Sequence, residues 1–475
     1  MKRLKIFLAN LGFIRPGDVQ STPPMGIMYL AAHVRRVLQA DFLLSNQRVD
    51  GLSNTQLVAK ARDFGADVVG FTALTPSAHA LPEITAGVRA ALPGALILVG
   101  GPHVSAVGAD ILRKTCADAA VPGEGEIAFE QILRRHLDGS DFSDIPGVHW
   151  RGRDGEIVSN PGSVPFIEDL DSLPFPAYDL LNLDHYWRLR PMTFVAEKGP
   201  YAALYSSRGC PYHCHWCHRV FGDKFRAHSA ERVLAELDHY VRTYGVKQVE
   251  FYDDIFNYDP KRVRAIHDGI KERGLKLKIS FPNGLRSDLL TKDTIDCLAD
   301  MGTRYIGFAL ETGSPRLQKL MGKNMNIPRL VKAVEMAADR GIFTNGYAIL
   351  GMPTETAEEM RETIRVAAES RLHTAQFFTL LPFPGTQIHR YMQEHKPEML
   401  PFLNFDEATV LRSDINLSDV SNEELIRHQR HAFYKFYSRP SRVFRILRDF
   451  PNWRLLPAIG LTLAAAMTKG LLKRK

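Results

Sequence analysis

The chain has 475 residues, 45% of them hydrophobic and 24% charged, which excludes wholesale disorder and allows about two to four domains. Five cysteines in so long a chain exclude a disulfide-built fold, and the N-terminal "MKRLKIFLANLGFIRPG" has too short an apolar core for a signal peptide, so the expected compartment is the reducing cytoplasm. The formal charge of +7 is local: ten basic residues face one acid between Lys435 and Lys475, leaving −2 on the body, which argues against a broad nucleic-acid-binding face.

Residues 1–137 alternate short apolar runs with amphipathic stretches. Strands are predicted at Leu4–Leu8, Phe42–Leu44, Val68–Thr72, Leu96–Val99 and Ala119–Val121, with helices over Ile27–Leu38, Thr55–Phe64, His79–Leu92, Ser105–Lys114 and Glu126–His136. This alternation predicts a doubly wound parallel sheet, whose ligands settle beyond the carboxyl ends of the strands. Three loops on that edge stand out: "TALTPSAHA" with Thr72, Thr75 and Ser77, "GGPHVSA" with Gly100, Gly101, Pro102 and His103, and "PGEGE" with Gly123, Glu124, Gly125 and Glu126. Each alone reads as an ordinary strand-to-helix turn; three on one edge predict a bound cofactor. Residues 138–195 follow as a connector that packs on both domains and contains a hairpin turning at Asp154-Gly155.

The strongest chemical signal is "YSSRGCPYHCHWCHRVFG", where Cys210, Cys214 and Cys217 form a C-x3-C-x2-C pattern. Three thiolates can hold a four-iron cubane and leave one iron open to a ligand. A zinc site of three cysteines and one of His213, His215 or His218 is the competing reading. Cys116 and Cys297 lie on predicted helices among apolar neighbours and are read as packing residues. Over residues 196–390 further strands are predicted to end at Asp253, Asp254 and Asn257, at Asn283 and Arg286, at Glu311, at Gly351, Pro353 and Glu355, and at Pro382–Thr386. Polar and turn residues thus recur where barrel enzymes place their sites.

The three-cysteine spacing, with Trp216 immediately before the third cysteine, resembles that of the radical S-adenosylmethionine (SAM) enzymes. With "PPMGIMYLAAHVRR", "GGPH", "GEGE" and "DLDSLPFPAYDLL", roughly residues 1–390 resemble the cobalamin-dependent branch, which includes class B radical SAM methyltransferases and anaerobic Mg-protoporphyrin ester cyclases. The resemblance implies a flavodoxin-like cobalamin-binding domain, a partial (β/α)6 barrel and a helical C-terminal region from residue 391. It implies a [4Fe-4S] cluster on Cys210, Cys214 and Cys217, with SAM chelating the fourth iron. Asp253 or Asp254 would face the SAM amino group, Arg286 its carboxylate, Glu311 the ribose, and Gly351 with Trp216 the adenine. Cobalamin would lie on the three strand-end loops. The D-x-H-x-x-G motif for a lower cobalt ligand is absent, and His103 beneath the cobalt is a bare expectation.

The resemblance further implies reductive cleavage of SAM by an external flavodoxin- or ferredoxin-type donor, hydrogen abstraction, and methylation of an unactivated carbon on a small-molecule or lipid-like substrate. Oxidative cyclisation or rearrangement without methyl transfer is the alternative. RNA methylthiolation would need extra N-terminal cysteines, and only Cys116 precedes the barrel; a non-catalytic cobalamin carrier or sensor leaves the three cysteines unexplained. The C-terminal region is expected to close the barrel mouth, with a helix capped at Ser421. The basic tail around "LLPAIGLTLAAAMTKGLL" reads either as a peripheral anchor on an anionic inner membrane face or as a solvated helix packed on the barrel.

Overall fold

The computed structural model describes residues 3–12, 22–405 and 415–452. Strands β1 (Leu4–Asn10), β2 (Ala40–Asn46), β3 (Val68–Thr72), β4 (Leu96–Gly100) and β5 (Ala119–Val121) pair in parallel. The strand β1 shows why both faces are covered. Its residues Ile6 and Leu8 point to a core shared with helix Met25–Val37, while Phe7 and Ala9 point to Leu57, Leu81 and Ile84 on the opposite face. Side chains alternate with period two, so a strand apolar at both parities is buried on both sides. Helix Asn54–Phe64 begins with a Ser53–Gln56 capping box and stops at left-handed Gly65, φ 69°.

The hairpin expected in the connector forms as β6 (His149–Arg151) and β7 (Ile157–Ser159). It goes further than expected, because β6 pairs antiparallel with β5 and extends the sheet to the order β2-β1-β3-β4-β5-β6-β7. The helix predicted over Ser105–Lys114 is two short helices, Pro102–Val107 and Asp110–Lys114, because Gly108 takes φ 56° between them. Cys116 departs from its reading as a helical packing residue. It is exposed in the turn before β5, whereas Cys297 is buried on helix Lys292–Asp300 as expected.

The second sheet contains β8 (Tyr201–Leu204), followed in sequence by the short antiparallel pair β9 (Ser207–Arg208) and β10 (Arg226–Ala227), which stands apart from it. Then come β11 (Gln248–Phe251), β12 (Lys278–Leu285), β13 (Thr303–Glu311), β14 (Phe343–Leu350) and β15 (Thr374–Thr379). The six strands β15-β14-β13-β12-β11-β8 are parallel throughout and alternate with helices. The β15 edge is covered by helix Asn422–Tyr437: Gln429 donates to the Phe377 carbonyl at 2.7 Å, and the Tyr437 hydroxyl engages Ala375. That covering takes the place of a further strand at an otherwise unpaired edge.

One apolar core runs from the first sheet into the second. Tyr178 of the connector carries it, stacking edge-on against Tyr240 and exchanging hydrogen bonds with both backbone groups of Ala203. The C-terminal region divides. Residues Ile388, Met392, Ile415 and Leu417 pack beside Trp216 at the carboxyl edge, as a mouth-closing role requires. Helix Pro440–Asp449 instead lies under the amino ends of the strands, where Phe450 packs on Phe343 and Asp449 bonds His373. The apolar run Leu455–Leu472 lies outside the described residues.

Candidate active site

The cysteine loop is closed by the two rungs of the β9–β10 ladder and by Cys210 N–H donating to Gly222. Gly209, φ 80°, is required there: a Cβ would lie 2.3 Å from the Lys224 carbonyl. The loop is tied to two neighbours, His215 N–H donating to Met321 and Ile388 N–H to His215. The Cys217 thiol bonds Cys214, which brings Cys214 down to about 7 and raises Cys217. Burial raises Cys210. Cys217 is solvent-reachable, and Cys214 and Cys217 both open onto one recess. No three His, Cys, Asp or Glu among the described residues converge as ligands of a single ion would.

Around the cysteines the expected residues sort by what already binds them. Asp253 is 2% exposed, and its oxygens accept from Ser206 N–H, the Ser206 hydroxyl at 2.7 Å and the Ser207 hydroxyl. It braces the turn after β8 and faces no ligand. Asp254 is exposed yet walled in by protein; burial and then the neighbouring Asp253 push it up to about 6. Arg286 forks onto Asp288 at 2.7 and 3.1 Å, donates to the Lys323 and Asn324 carbonyls, and lies 3.8 Å from the centre of the Tyr212 ring. Its guanidinium is chiefly structural, fixing the loop that carries Lys323.

Lys323 escaped the sequence reading. Its Nζ lies 3.5 Å from Glu311 and 6.0 Å over the Trp216 ring. Burial disfavours its charge, but Glu311, Cys214 and Cys217 more than offset that and raise its pKa. Gly322 makes the approach possible, since a Cβ there would meet the His213 carbonyl at 2.5 Å. Glu311, at left-handed φ 58°, is raised by burial. Gly351, φ 87°, donates its N–H to Glu355 at 2.6 Å, and Met352 N–H donates to the same oxygen. Burial pushes Glu355 up to about 8. Trp216 and Met352 share one apolar cluster, which brings Trp216 to the Gly351 turn.

Across the recess stand the loops of the first sheet. Gly101, φ 91°, leaves no room for a side chain, because a Cβ would fall 2.2 Å from the Thr72 hydroxyl. Ser105 links two loops, donating to the Gly101 carbonyl and accepting from Gly123 N–H. The His103 ring lies 3.3 Å from the Thr75 hydroxyl, and burial, then Lys114 and His218, lowers its pKa. A recess of about 370 Å³ is lined by Pro102, Ser105 and Ala106 on one side and by Cys214, Cys217 and His218 on the other. Ser77 bonds back to Leu74 and faces a separate recess of about 240 Å³ with Gly12, Gln47 and His79. Gly125 is a close-packing position, where a Cβ would lie 3.1 Å from the Leu30 side chain, whereas a Cβ at Gly100 would make ordinary contact with the Val121 carbonyl at 3.4 Å.

Glu124 and Glu126, expected on the cofactor edge, are buried there and ion-paired to Arg226 and Arg208. The arginines come from the barrel side, which no local pattern around "GEGE" reveals.

The B12 binding domain model matches residues 19–133, and the Radical SAM superfamily model matches residues 204–367. An uncharacterized methyltransferase of Pyrococcus horikoshii is 30% identical over 92% of this chain and 92% of its own length. The cytidylyl-2-hydroxyethylphosphonate methyltransferase of Streptomyces wedmorensis is 28% identical over 78% of this chain and 77% of its own. The anaerobic magnesium-protoporphyrin IX monomethyl ester cyclase of Cereibacter sphaeroides is 22% identical over 88% and 68%. Among solved structures, the cobalamin-dependent S-adenosylmethionine radical enzyme OxsB shares the fold, with a TM-score of 0.76 over 99% of this chain and 72% of that one at 16% identity.

Proposed function

Because the chain belongs to the radical SAM enzymes that carry a B12-binding domain, we propose that it methylates an unactivated carbon of a small-molecule or lipid-like substrate. The observation that carries the reading is the recess in which Pro102, Ser105 and Ala106 of the first sheet face Cys214 and Cys217. Two cofactor sites on separate domains open there onto one space. When bound, the cluster with SAM supplies a carbon-centred radical and cobalamin supplies a transferable methyl group.

The chain's own residues bind, orient and exclude water. Cys210, Cys214 and Cys217 hold the cluster. The residues nearest it offer SAM complementary chemistry: Asp254 toward the ammonium, Lys323 toward the carboxylate with Arg286 fixing its loop, Glu311 toward the ribose, and Gly351 with Trp216 at the adenine. Thr72, Thr75, Gly100, Gly101, Pro102, His103, Gly123 and Gly125 form the cobalamin bed, and Ser77 its outer edge. Electrons come from an external flavodoxin- or ferredoxin-type donor. The named relatives favour methylation over cyclisation, since the two more similar ones are methyltransferases.

The test is a reaction with reductant, cobalamin and methyl-labelled SAM on a panel of candidate substrates. Label in the product is expected. Unlabelled product lighter by hydrogen would make the enzyme a cyclase.

The described residues contain no helix long and apolar enough to cross a membrane. Helix Pro440–Asp449 nevertheless leaves Val443, Phe444 and Leu447 exposed, Phe444 by 65%, beside exposed Arg448. With the basic tail that follows in sequence, this face suits an anionic lipid surface at the cytoplasmic side. Phe444→Glu with Leu447→Glu should abolish sedimentation with phosphatidylserine vesicles; equal sedimentation of wild type and variant refutes the contact.

A further inference from the structure

Four charged side chains meet at the boundary between the two halves. Glu124 comes from the turn after β5 and Glu126 opens the helix Glu126–Asp138 that follows it. Arg208 and Arg226 are cross-strand partners in the β9–β10 ladder that closes the cysteine loop. Arg226 donates to Glu124 at 3.1 Å through Nη1, to the Ile167 carbonyl at 2.6 Å and to the Phe221 carbonyl at 2.9 Å. Arg208 Nη2 donates to Glu126 at 2.7 Å, and its Nη1 lies 3.3 Å from Glu124. Glu124 also accepts Ile167 N–H at 3.0 Å. No side chain of the four is more than 5% exposed. The Arg208 guanidinium is flanked by the rings of Tyr29 at 5.1 Å and Phe221 at 5.3 Å, and Arg226 lies over Phe166 at 4.9 Å.

One node therefore grips three pieces of chain: the strand-end turn of the first sheet, the connector at Phe166–Ile167, and both arms of the cysteine loop. Arg208 is two residues before Cys210, and Glu124 and Glu126 flank Gly125 in the proposed cobalamin bed. Stability does not account for it. Withdrawing four charges from water carries a desolvation penalty that apolar residues of similar volume would avoid, and the surrounding interface is already apolar through Met28, Tyr29 and Tyr178. What ion pairs add is direction. An apolar contact tolerates sliding of one sheet over the other, whereas forked guanidinium–carboxylate bonds hold one register.

Resting on the two-cofactor reading above, we infer that Glu124, Glu126, Arg208 and Arg226 are positioning residues that lock the cysteine loop against the strand-end loops of the first domain and so set the distance between cluster and cobalt. Any single substitution strands its partner in the interior, so the informative variant replaces both pairs at once, Glu124→Leu with Arg226→Met and Glu126→Leu with Arg208→Met, which removes charge and direction while keeping volume. The measurement is the dipolar coupling between reduced cluster and cob(II)alamin by pulsed electron paramagnetic resonance, in holoprotein of each form. Wild type should give one narrow distance distribution. The fourfold variant should keep its melting temperature, four irons and cobalamin content but lose the narrow distribution. A distribution as narrow and centred as that of wild type would overturn the inference. If wild type itself loads no cluster or no cobalamin, the cofactor reading fails first and the inference falls with it.

Discussion

The two parallel sheets face each other with their carboxyl ends, yet they spend their acidic residues in opposite ways. On the first sheet Glu124 and Glu126 are sealed at the boundary by arginines from the other half. On the second, Asp254 is pushed up to about 6 by burial and by Asp253, and Glu311 is paired only with Lys323, 12 positions away. The difference lies in the partner: arginines from more than 80 positions away on the first sheet, a nearby acid or lysine on the second. Asp253 and Asp254 differ one residue apart, the first buried and held by Ser206 and Ser207, the second exposed.

The strongest way to break the contrast is on the open side. Cys214→Ala should abolish the iron content and SAM cleavage of the anaerobically prepared protein. The fold should survive, since the loop is held by the β9–β10 ladder and by His215 and Ile388 backbone bonds. Iron analysis and circular dichroism check both halves of that expectation.

On the sealed side, Glu124→Leu leaves Arg226 buried without its carboxylate and should cost about 3–5 kcal/mol in denaturant unfolding. Adding Arg226→Met should recover most of the loss; no recovery would mean that the node stabilises through something other than charge pairing.

Glu355 sharpens the comparison by pH. Its folded-state pKa is raised to about 8 by burial, above the ordinary carboxylate value of the unfolded chain. The protonated form is therefore favoured by folding, and its contribution is fully present below about pH 4 and lost as pH rises toward 8. Thermal melts of wild type should decline between pH 5 and 8, and Glu355→Gln should flatten that decline by an amount on the order of a few kcal/mol. An unchanged slope would place the titration elsewhere. The smallest effect is expected at Gly101. Its φ of 91° and the nearby Thr72 hydroxyl make Gly101→Ala cost about 1–3 kcal/mol, with weaker cobalamin binding by absorbance titration.

Much of the architecture was legible because it is written locally. Strand Val68–Thr72 appears where an apolar run ends in a Thr- and Pro-bearing turn, Ala119–Val121 where one ends in a glycine-rich turn, and helix Ala230–Tyr244 starts at the Ser229 cap and stops at left-handed Gly245. The Ser421–Glu424 capping box is likewise visible in four consecutive letters. Lys323 was not legible. Its importance comes from Gly322 abutting the His213 carbonyl more than 100 residues earlier in the chain. Cys116 misled because it follows closely on a helix that ends at Lys114, and its exposure depends on the path of the turn before β5.

By itself the sequence determined two α/β halves, a three-thiol loop and a charge confined to the C-terminal end, because periodicity, cysteine spacing and composition are properties of neighbouring residues. Only the tertiary structure decided which acids are free. Arg226 reaches Glu124 across 102 positions, and Asp253 is claimed by serines 46 and 47 positions away. A charge's role depends on what lies within a few ångströms of it, and that neighbourhood is assembled only when the two sheets dock.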